Sequence, residues 1–245
     1  MQKKLIIDIG NTLQKLAVFE GKTLISKESF QGLNPEILNE FIQKNGPFRG
    51  IILSSVAKHR PEIEEILSNA RKYIPLSFDT PLPVKILYQT PASLGKDRIA
   101  AVAGAYSLYP ARNILVIDAG TCITYDILTA DGEYPGGAIS PGIQMRFKAM
   151  HTFTGKLPLI EADDFDGLIG QTTNESMRSG VFNGVIAEIT ETIRLYKEKL
   201  DNLLVMMTGG DYQFLHNKLK ISIFAAPDLV LLGLNEIFDY NDQSG

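Results

Sequence analysis

Two short stretches carry residue types that suit phosphate handling. Ile114 to Tyr125 reads as an apolar run, then Asp118-Ala119-Gly120-Thr121, then a second β-branched and aromatic run. That order predicts strand, tight turn, strand. Glycine in such a turn lets backbone N–H groups approach an anion, a carboxylate at the strand end holds a cation, and the Thr121 hydroxyl adds a donor. Asp-x-Gly also closes ordinary hairpins by supplying positive φ, so a single copy specifies only a turn. A second copy stands near the N-terminus, where Leu5-Ile6-Ile7-Asp8-Ile9-Gly10-Asn11-Thr12 precedes a strand-like run from Leu16 to Phe19. The repeat predicts two similar lobes facing each other across a nucleotide, with two hairpins clamping one polyphosphate.

A third cluster is Leu94-Gly95-Lys96-Asp97-Arg98, which runs into the small-residue pattern Ile99-Ala100-Ala101-Val102-Ala103-Gly104-Ala105-Tyr106. The second half predicts a helix with Asp97 and Arg98 at its N-terminal end. The helix dipole favours a charged carboxylate there, and an arginine beside it can fork onto a carboxylate or phosphate. An N-terminal cap with a solvated arginine is the equal alternative. The glycine- and proline-rich stretch from Gly132 to Gly142 predicts specific turns or backbone lying against a ligand. Thr208-Gly209-Gly210-Asp211 suits either a ligand's phosphates or a short turn with Asp211 as a helix cap.

Composition bounds the class. The chain has 245 residues, 44% apolar and 21% charged, with a net charge of −4. This fits a soluble globular protein with one large or two small domains, and the duplication favours two. The negative balance argues against a general nucleic-acid surface, and no apolar run is long enough to span a bilayer. Met1-Gln2-Lys3-Lys4-Leu5 places basic residues before an apolar run, but Asp8 and Gly10 interrupt it too early for a signal peptide. A cytoplasmic protein is therefore expected. The one cysteine, Cys122, is expected to be a small buried side chain rather than a nucleophile.

The elements that must position these residues follow a mixed α/β order. Lys22 to Gly32 supplies a third strand; Asn34 caps a helix with Pro35 at its first position and Ile37, Leu38, Phe41 and Ile42 on its apolar face. Gly50 to Val56 reads as a buried strand ending in small polar residues, and Arg60-Pro61 opens a further helix. Pro75, Pro81 and Pro83 make the next segment a connector. Met145, Phe147 and Met150 are assigned to core packing, and His151 to a structural role. Gly170 to Ser176 offers caps for a long helix ending near Leu200, with Met177, Val181, Val185, Ile189 and Ile193 as its apolar stripe. Gly180 and Gly184 are placed on that same side, as a close-approach surface for a domain or dimer contact. Leu203 to Met207 is a strand, and Pro227 to Phe238 a short helix.

Taken together, the pieces resemble the type III pantothenate kinases, of the superfamily that includes sugar kinases, actin and the Hsp70 ATPase domain. The matching segments are D-I-G-N-T from Asp8, L-G-K-D-R from Leu94, D-A-G-T from Asp118, P-G-G-A-I-S-P-G from Pro135, G-Q-T-T-N-E-S-M-R-S-G from Gly170, and T-G-G-D from Thr208. The resemblance implies two RNase H-like lobes with mixed sheets flanked by helices, over residues 1–110 and 111–245, in a homodimer. It implies ATP-dependent phosphorylation of pantothenate, the first step of coenzyme A synthesis, using Mg2+ and a monovalent cation (K+ or NH4+). Asp8, Ile9, Gly10, Asn11, Thr12, Leu13, Gln14 and Lys15 would form the first phosphate loop, with Thr121 a further ATP contact and Asp118 the monovalent-cation ligand. Asp97 would be the base, and Tyr88, Gly95, Lys96, Asp97, Arg98 and Thr173 would line the pantothenate pocket. Lys96 and the run Leu13-Gln14-Lys15 depart from the commonest pattern of that family, while Asp8, Asp97, Arg98 and Asp118 keep it. Alternatives are a non-catalytic nucleotide-binding regulator of the same fold, or a kinase for another small hydroxylated substrate.

Overall fold

Alternation of β-branched runs with amphipathic segments builds, in the computed structural model, β1 (Lys3–Ile9), β2 (Gln14–Glu20), β3 (Thr23–Phe30), α1 (Pro35–Asn45), β4 (Phe48–Ser55), α2 (Pro61–Ser68), β5 (Tyr73–Pro75), β6 (Lys85–Ile86) and α3 (Lys96–Leu108). There follow β7 (Ile114–Ala119), β8 (Cys122–Leu128), β9 (Glu133–Tyr134), β10 (Gly136–Pro141), α4 (Ile143–Phe153), α5 (Thr173–Lys199), β11 (Leu204–Thr208), α6 (Tyr212–Lys218), β12 (Phe224–Ala225) and α7 (Leu229–Gln243). The structure describes residues 3–163 and 165–243, so Met1 and Gln2 of the N-terminal stretch lie outside it.

The chain divides into two units. One is Met1–Ala111 with Leu128–Pro135 and Asp228–Gly245; the other is Arg112–Ile127 with Gly136–Pro227. The chain first crosses between units at Ala111/Arg112 and returns to the first unit twice, so the C-terminal helix belongs with the first unit rather than with the residues that follow 110.

In the first unit the sheet order is β3-β2-β1-β4-β5. β1 pairs antiparallel with β2 and parallel with β4, placing Asp8 opposite Lys15 on one side and Ser54 on the other. Leu5, Ile7 and Ile9 face one way, into a core with Leu38, Phe41, Ile63 and Leu67 of α1 and α2. By strand alternation Asp8 points to the opposite face. Asn34 caps α1 as expected, its Oδ1 accepting from Ile37 N at 2.8 Å.

α3 and α7 pack together in this unit, and they cross closely. A Cβ on Gly233 would lie 1.7 Å from Ala100 O, and one on Gly104 2.3 Å from Leu229 O. The small residues of α3 therefore serve helix packing. Charge holds α7 in place: the buried Lys4 ammonium reaches Asp239 at 2.6 Å, Arg49 reaches Asp239 at 2.7 Å, and Lys72 reaches Asp242 at 3.0 Å. Those three cations also lie 5.5–5.8 Å from the centre of the Phe238 ring.

In the second unit the order is β10-β8-β7-β11-β12. Its core joins Leu115, Ile117, Tyr125, Phe147, Val181, Val185, Ile189 and Met207. Phe147 is buried as expected, while Met145 is exposed and Cys122 only half-buried. Gly180 and Gly184 lie on the exposed face of α5, away from the apolar stripe expected for them, and a Cβ on either would meet nothing. No helix among the described residues is long and apolar enough to cross a membrane.

Candidate active site

The first Asp-x-Gly turn closes β1 onto β2, with Gly10 N donating to Leu13 O at 3.1 Å. Asn11, Thr12 and Leu13 are exposed at its tip. Ile9 is not available to a ligand through its side chain, which lies in the core, and its carbonyl accepts from Val56 N at 3.0 Å. The Gln14 side chain is engaged too, its Oε1 accepting from Leu33 N. The Gly10–Leu13 tip, Lys15 and the Asp8 carboxyl carry no such engagement in the core or with Leu33.

Asp8 is the unusual group. It is 7% exposed, and its Oδ1 has no hydrogen-bond partner, nor does the buried Ser54 Oγ at the paired position. Burial pushes its pKa up to about 6; Lys15 opposes this, Asp97 adds to it, and the nearby Ser54 hydroxyl lowers it slightly without meeting hydrogen-bond geometry. An orphaned carboxylate oxygen at a strand end suits a hydrated divalent cation carried by phosphates. The residues present thus fit a magnesium–nucleotide.

The helix α3 brings Asp97 and Arg98 into the same unit. Gly95 precedes its first residue, and Asp97 Oδ1 accepts from Arg98 N at 2.9 Å. A Cβ on Gly95 would lie 2.5 Å from Asp97 Oδ1, so a side chain there would displace the Asp97 carboxylate. Arg98 is buried, and its guanidinium carbon stands 5.9 Å from the centre of the half-buried Tyr88 ring. The planar cation is thereby held against a flat face. Lys96 is half-buried at the helix start.

Asp118, Thr121 and Thr173 belong to the second unit. Its hairpin is tighter: Gly120 N donates to Cys122 O at 2.9 Å, and Thr121 is exposed. Two other segments press on the turn. Gly142 N donates to Thr121 O at 3.2 Å, and a Cβ on Gly142 would lie 2.1 Å from Gly120 O. Gly209, at φ +98°, runs so close that a Cβ would lie 2.2 Å from Ala119 O and 2.5 Å from Asp118 Oδ1. Asp211 makes no side-chain cap; its N–H donates to Ala119 O at 2.9 Å. The T-G-G-D segment thus braces the Asp118 turn and leaves a carboxylate beside glycine backbone, a cradle compatible with a weakly hydrated cation.

The β10–α4 turn is itself held. Arg146 Nε donates to Pro141 O at 2.8 Å, and its Nη2 reaches Ser140 Oγ at 2.9 Å and Glu188 Oε2 at 2.6 Å. Tyr125 OH donates to Glu188 Oε1 at 2.9 Å. Glu188 is held below the usual carboxylate range, its hydrogen bonds to Arg146, Ser140 and Tyr125 together outweighing the larger single effect of burial. Thr173 is the exposed first residue of α5, behind a complete capping box. Thr172 Oγ1 accepts from Glu175 N at 3.2 Å, and Glu175 Oε2 accepts from Thr172 N at 3.1 Å. No sequence signal marked Arg146, Glu188 or Ser54: the first two meet across the β10–α4 turn and α5, and Ser54 comes beside Asp8 only through strand pairing.

Two five-stranded sheets, each carrying an Asp-x-Gly hairpin, with a helix-borne Asp-Arg pair, form a fold shared with solved sugar kinases. A glucokinase from an Antarctic psychrotroph superposes with a TM-score of 0.53 at 13% identity, covering 98% of this chain and 99% of its own. A conserved Campylobacter jejuni protein assigned to the Baf family of transcriptional activators superposes at 0.63, with 24% identity and coverage of 98% and 99%. At such identities these likenesses speak for the fold. The sequence goes further: the family described as type III pantothenate kinase matches residues 4–195. The type III pantothenate kinase of Christiangramia forsetii is 46% identical over 240 residues, 97% of this chain and 98% of that protein. This chain belongs to the type III pantothenate kinase family.

Proposed function

We propose that the chain transfers the γ-phosphoryl group of ATP to the terminal hydroxyl of pantothenate, in the cytoplasm, as the opening step of coenzyme A synthesis. The observation that carries the reading is the Asp97 carboxylate at the first turn of α3, in one unit with the buried, underbonded Asp8. Asp97 accepts the hydroxyl proton as the oxygen–phosphorus bond forms and the bond to the ADP oxygen breaks. Arg98, fixed against Tyr88, orients the substrate, and Thr173 adds a hydroxyl at a rigid helix start. The Gly10–Leu13 tip, Lys15 and Thr121 hold phosphate oxygens. Magnesium near Asp8 would neutralise charge developing on the phosphates. Asp118 would hold K+ or NH4+.

Two features support a homodimer as the working form: the exposed Phe153, Leu168 and Ile169, and the open glycine face of α5. The deciding test is a coupled assay of ADP release with ATP and Mg2+, with and without pantothenate, in potassium and then sodium buffer. Pantothenate-dependent release that needs potassium supports both substrate and cation. ATP binding without release in any condition overturns the reading.

A further inference from the structure

At the carboxyl ends of the parallel strands β4 and β5, the first unit holds a cavity of about 400 Å³ bordered by Ser55, Lys58, His59, Glu64, Pro75 and Lys96. Open α/β sheets collect their ligands at that edge, and the volume lies at the small end of the roughly 300–1,000 Å³ usual for small-molecule pockets. A hydrogen-bonded chain forms part of the wall. Ser55 Oγ donates to Ala57 O at 2.7 Å, and His59 Nδ1 stands 3.0 Å from Ser55 Oγ. His59 Nε2 is 3.2 Å from Glu64 Oε1, and the Tyr73 hydroxyl donates to Glu64 Oε2.

Glu64, the carboxylate on the wall, directs its two oxygens to His59 and Tyr73 rather than to either lysine. Lys58 and Lys96 make no ion pair or hydrogen bond with any described residue. Two ammonium-bearing side chains bordering one small cavity repel each other, and an anion between them converts that repulsion into attraction. The wall is cationic although the chain carries a net charge of −4.

We propose that this cavity is a subsite for a small anionic group, a carboxylate or phosphate, with Lys58 and Lys96 as its counter-charges and the Ser55–His59 edge as its polar wall. Lys96 directly precedes Asp97, so the occupant lies beside the end of α3 that carries the base. Two sources fit the chemistry. One is the carboxylate of the substrate, which rests on the pantothenate reading above; the other is free inorganic phosphate, which does not.

The experiment uses the full chain and its Lys58→Ala variant, chosen because Lys58 is exposed and the fold does not need its ammonium. Inorganic phosphate is titrated into both while amide NMR signals are followed. Saturable shifts at residues 55–59, weakened about threefold to tenfold in the variant and lost in Lys58→Glu, support the subsite. In parallel, KM is measured for pantothenate and for its neutral alcohol analogue, pantothenol. A KM raised by the substitution for pantothenate but not for pantothenol assigns the site to the substrate's carboxylate. Weakened phosphate binding with an unchanged ratio of the two KM values assigns it to a free anion. No saturable shift at residues 55–59 together with an unchanged KM ratio overturns the proposal. Absence of turnover in the parent chain overturns the kinase reading instead, and the phosphate titration still decides the subsite.

Discussion

The two Asp-x-Gly hairpins share a sequence pattern and differ in what holds them. The first is a loose tip, Gly10 to Leu13, at the end of a strand whose aspartate is buried and underbonded. The second is a tight turn with an exposed threonine, pressed by Gly142 and Gly209 and braced through Arg146. One hairpin keeps a charge under strain, and the other keeps a shape under constraint. Asp97 is close enough to Asp8 to raise its pKa, which is why the proposed chemistry centres on the first hairpin, and an underbonded carboxylate is stabilised by a cation or a proton.

The largest expected effect follows from that closeness. Asp97→Asn should lower turnover by about 10²–10⁴-fold, the range for loss of a general base, with ATP binding and fold retained. It should also lower the Asp8 pKa, because one of the charges that raises it is gone. Steady-state ADP release and an NMR titration of the Asp8 carboxyl test the two halves. Full activity in the variant would leave Asp97 as a helix-end residue only.

Shape should matter most at the second hairpin. Gly209→Ala places a Cβ against Ala119 O at a φ of +98°, and should cost about 2–4 kcal/mol in urea unfolding. Gly10→Ala meets Leu13 O at 2.9 Å in a turn open on its outer side, and should cost about 1 kcal/mol. Equal losses would erase the distinction between the turns.

Much of this division is legible in the residues. Asp-x-Gly between β-branched runs marks both turns, and Asn34-Pro35 and Thr172 with Glu175 mark two helix starts by local chemistry. The role of the small residues in α3 is not local: they make room for α7, which lies more than a hundred residues onward and is drawn back by Lys4, Arg49 and Lys72. The face of Gly180 and Gly184 was misplaced because the apolar stripe of α5 and its glycines are offset by one residue, about 100° around a helix. Of the site, the carboxylates and Arg98 were readable as types. Their surroundings were not, since Ser54 comes beside Asp8 through strand pairing and Arg146 holds the β10–α4 turn through Pro141, Ser140 and Glu188.

Charge at the first hairpin gives a third test, with a defined sign. Asp8 has its folded pKa raised to about 6, first by burial. Its stabilising contribution is therefore complete below the unfolded value near 4 and is lost as pH rises through about 6. A shift of roughly two units corresponds to about 3 kcal/mol at pH 7. Without nucleotide or magnesium, Asp8→Asn should be more stable than the parent by about 1–3 kcal/mol at pH 7, and nearly equal at pH 4. Urea midpoints at the two pH values decide it. A variant less stable at pH 7 would mean that Asp8 is well solvated after all. Loss of activity alongside gained stability would be the expected trade at a functional carboxylate.

The smallest effect belongs to the brace. Arg146→Lys keeps the charge near Glu188 but loses the planar fork that joins Pro141 O, Ser140 Oγ and Glu188 Oε2 in one side chain. The pair is only partly buried, with side chains 21% and 30% exposed, so solvent screens part of the loss and about 1 kcal/mol of stability is expected. If the brace acts on the turn that carries Thr121, the KM for ATP should rise a few-fold while kcat changes less, since Gly142 N would still reach Thr121 O but less rigidly. Glu188→Gln, which leaves the arginine in place, should show the same KM shift in smaller measure. A loss of stability without any change in KM would separate the brace from the nucleotide, and would make the second hairpin a structural corner rather than a phosphate contact.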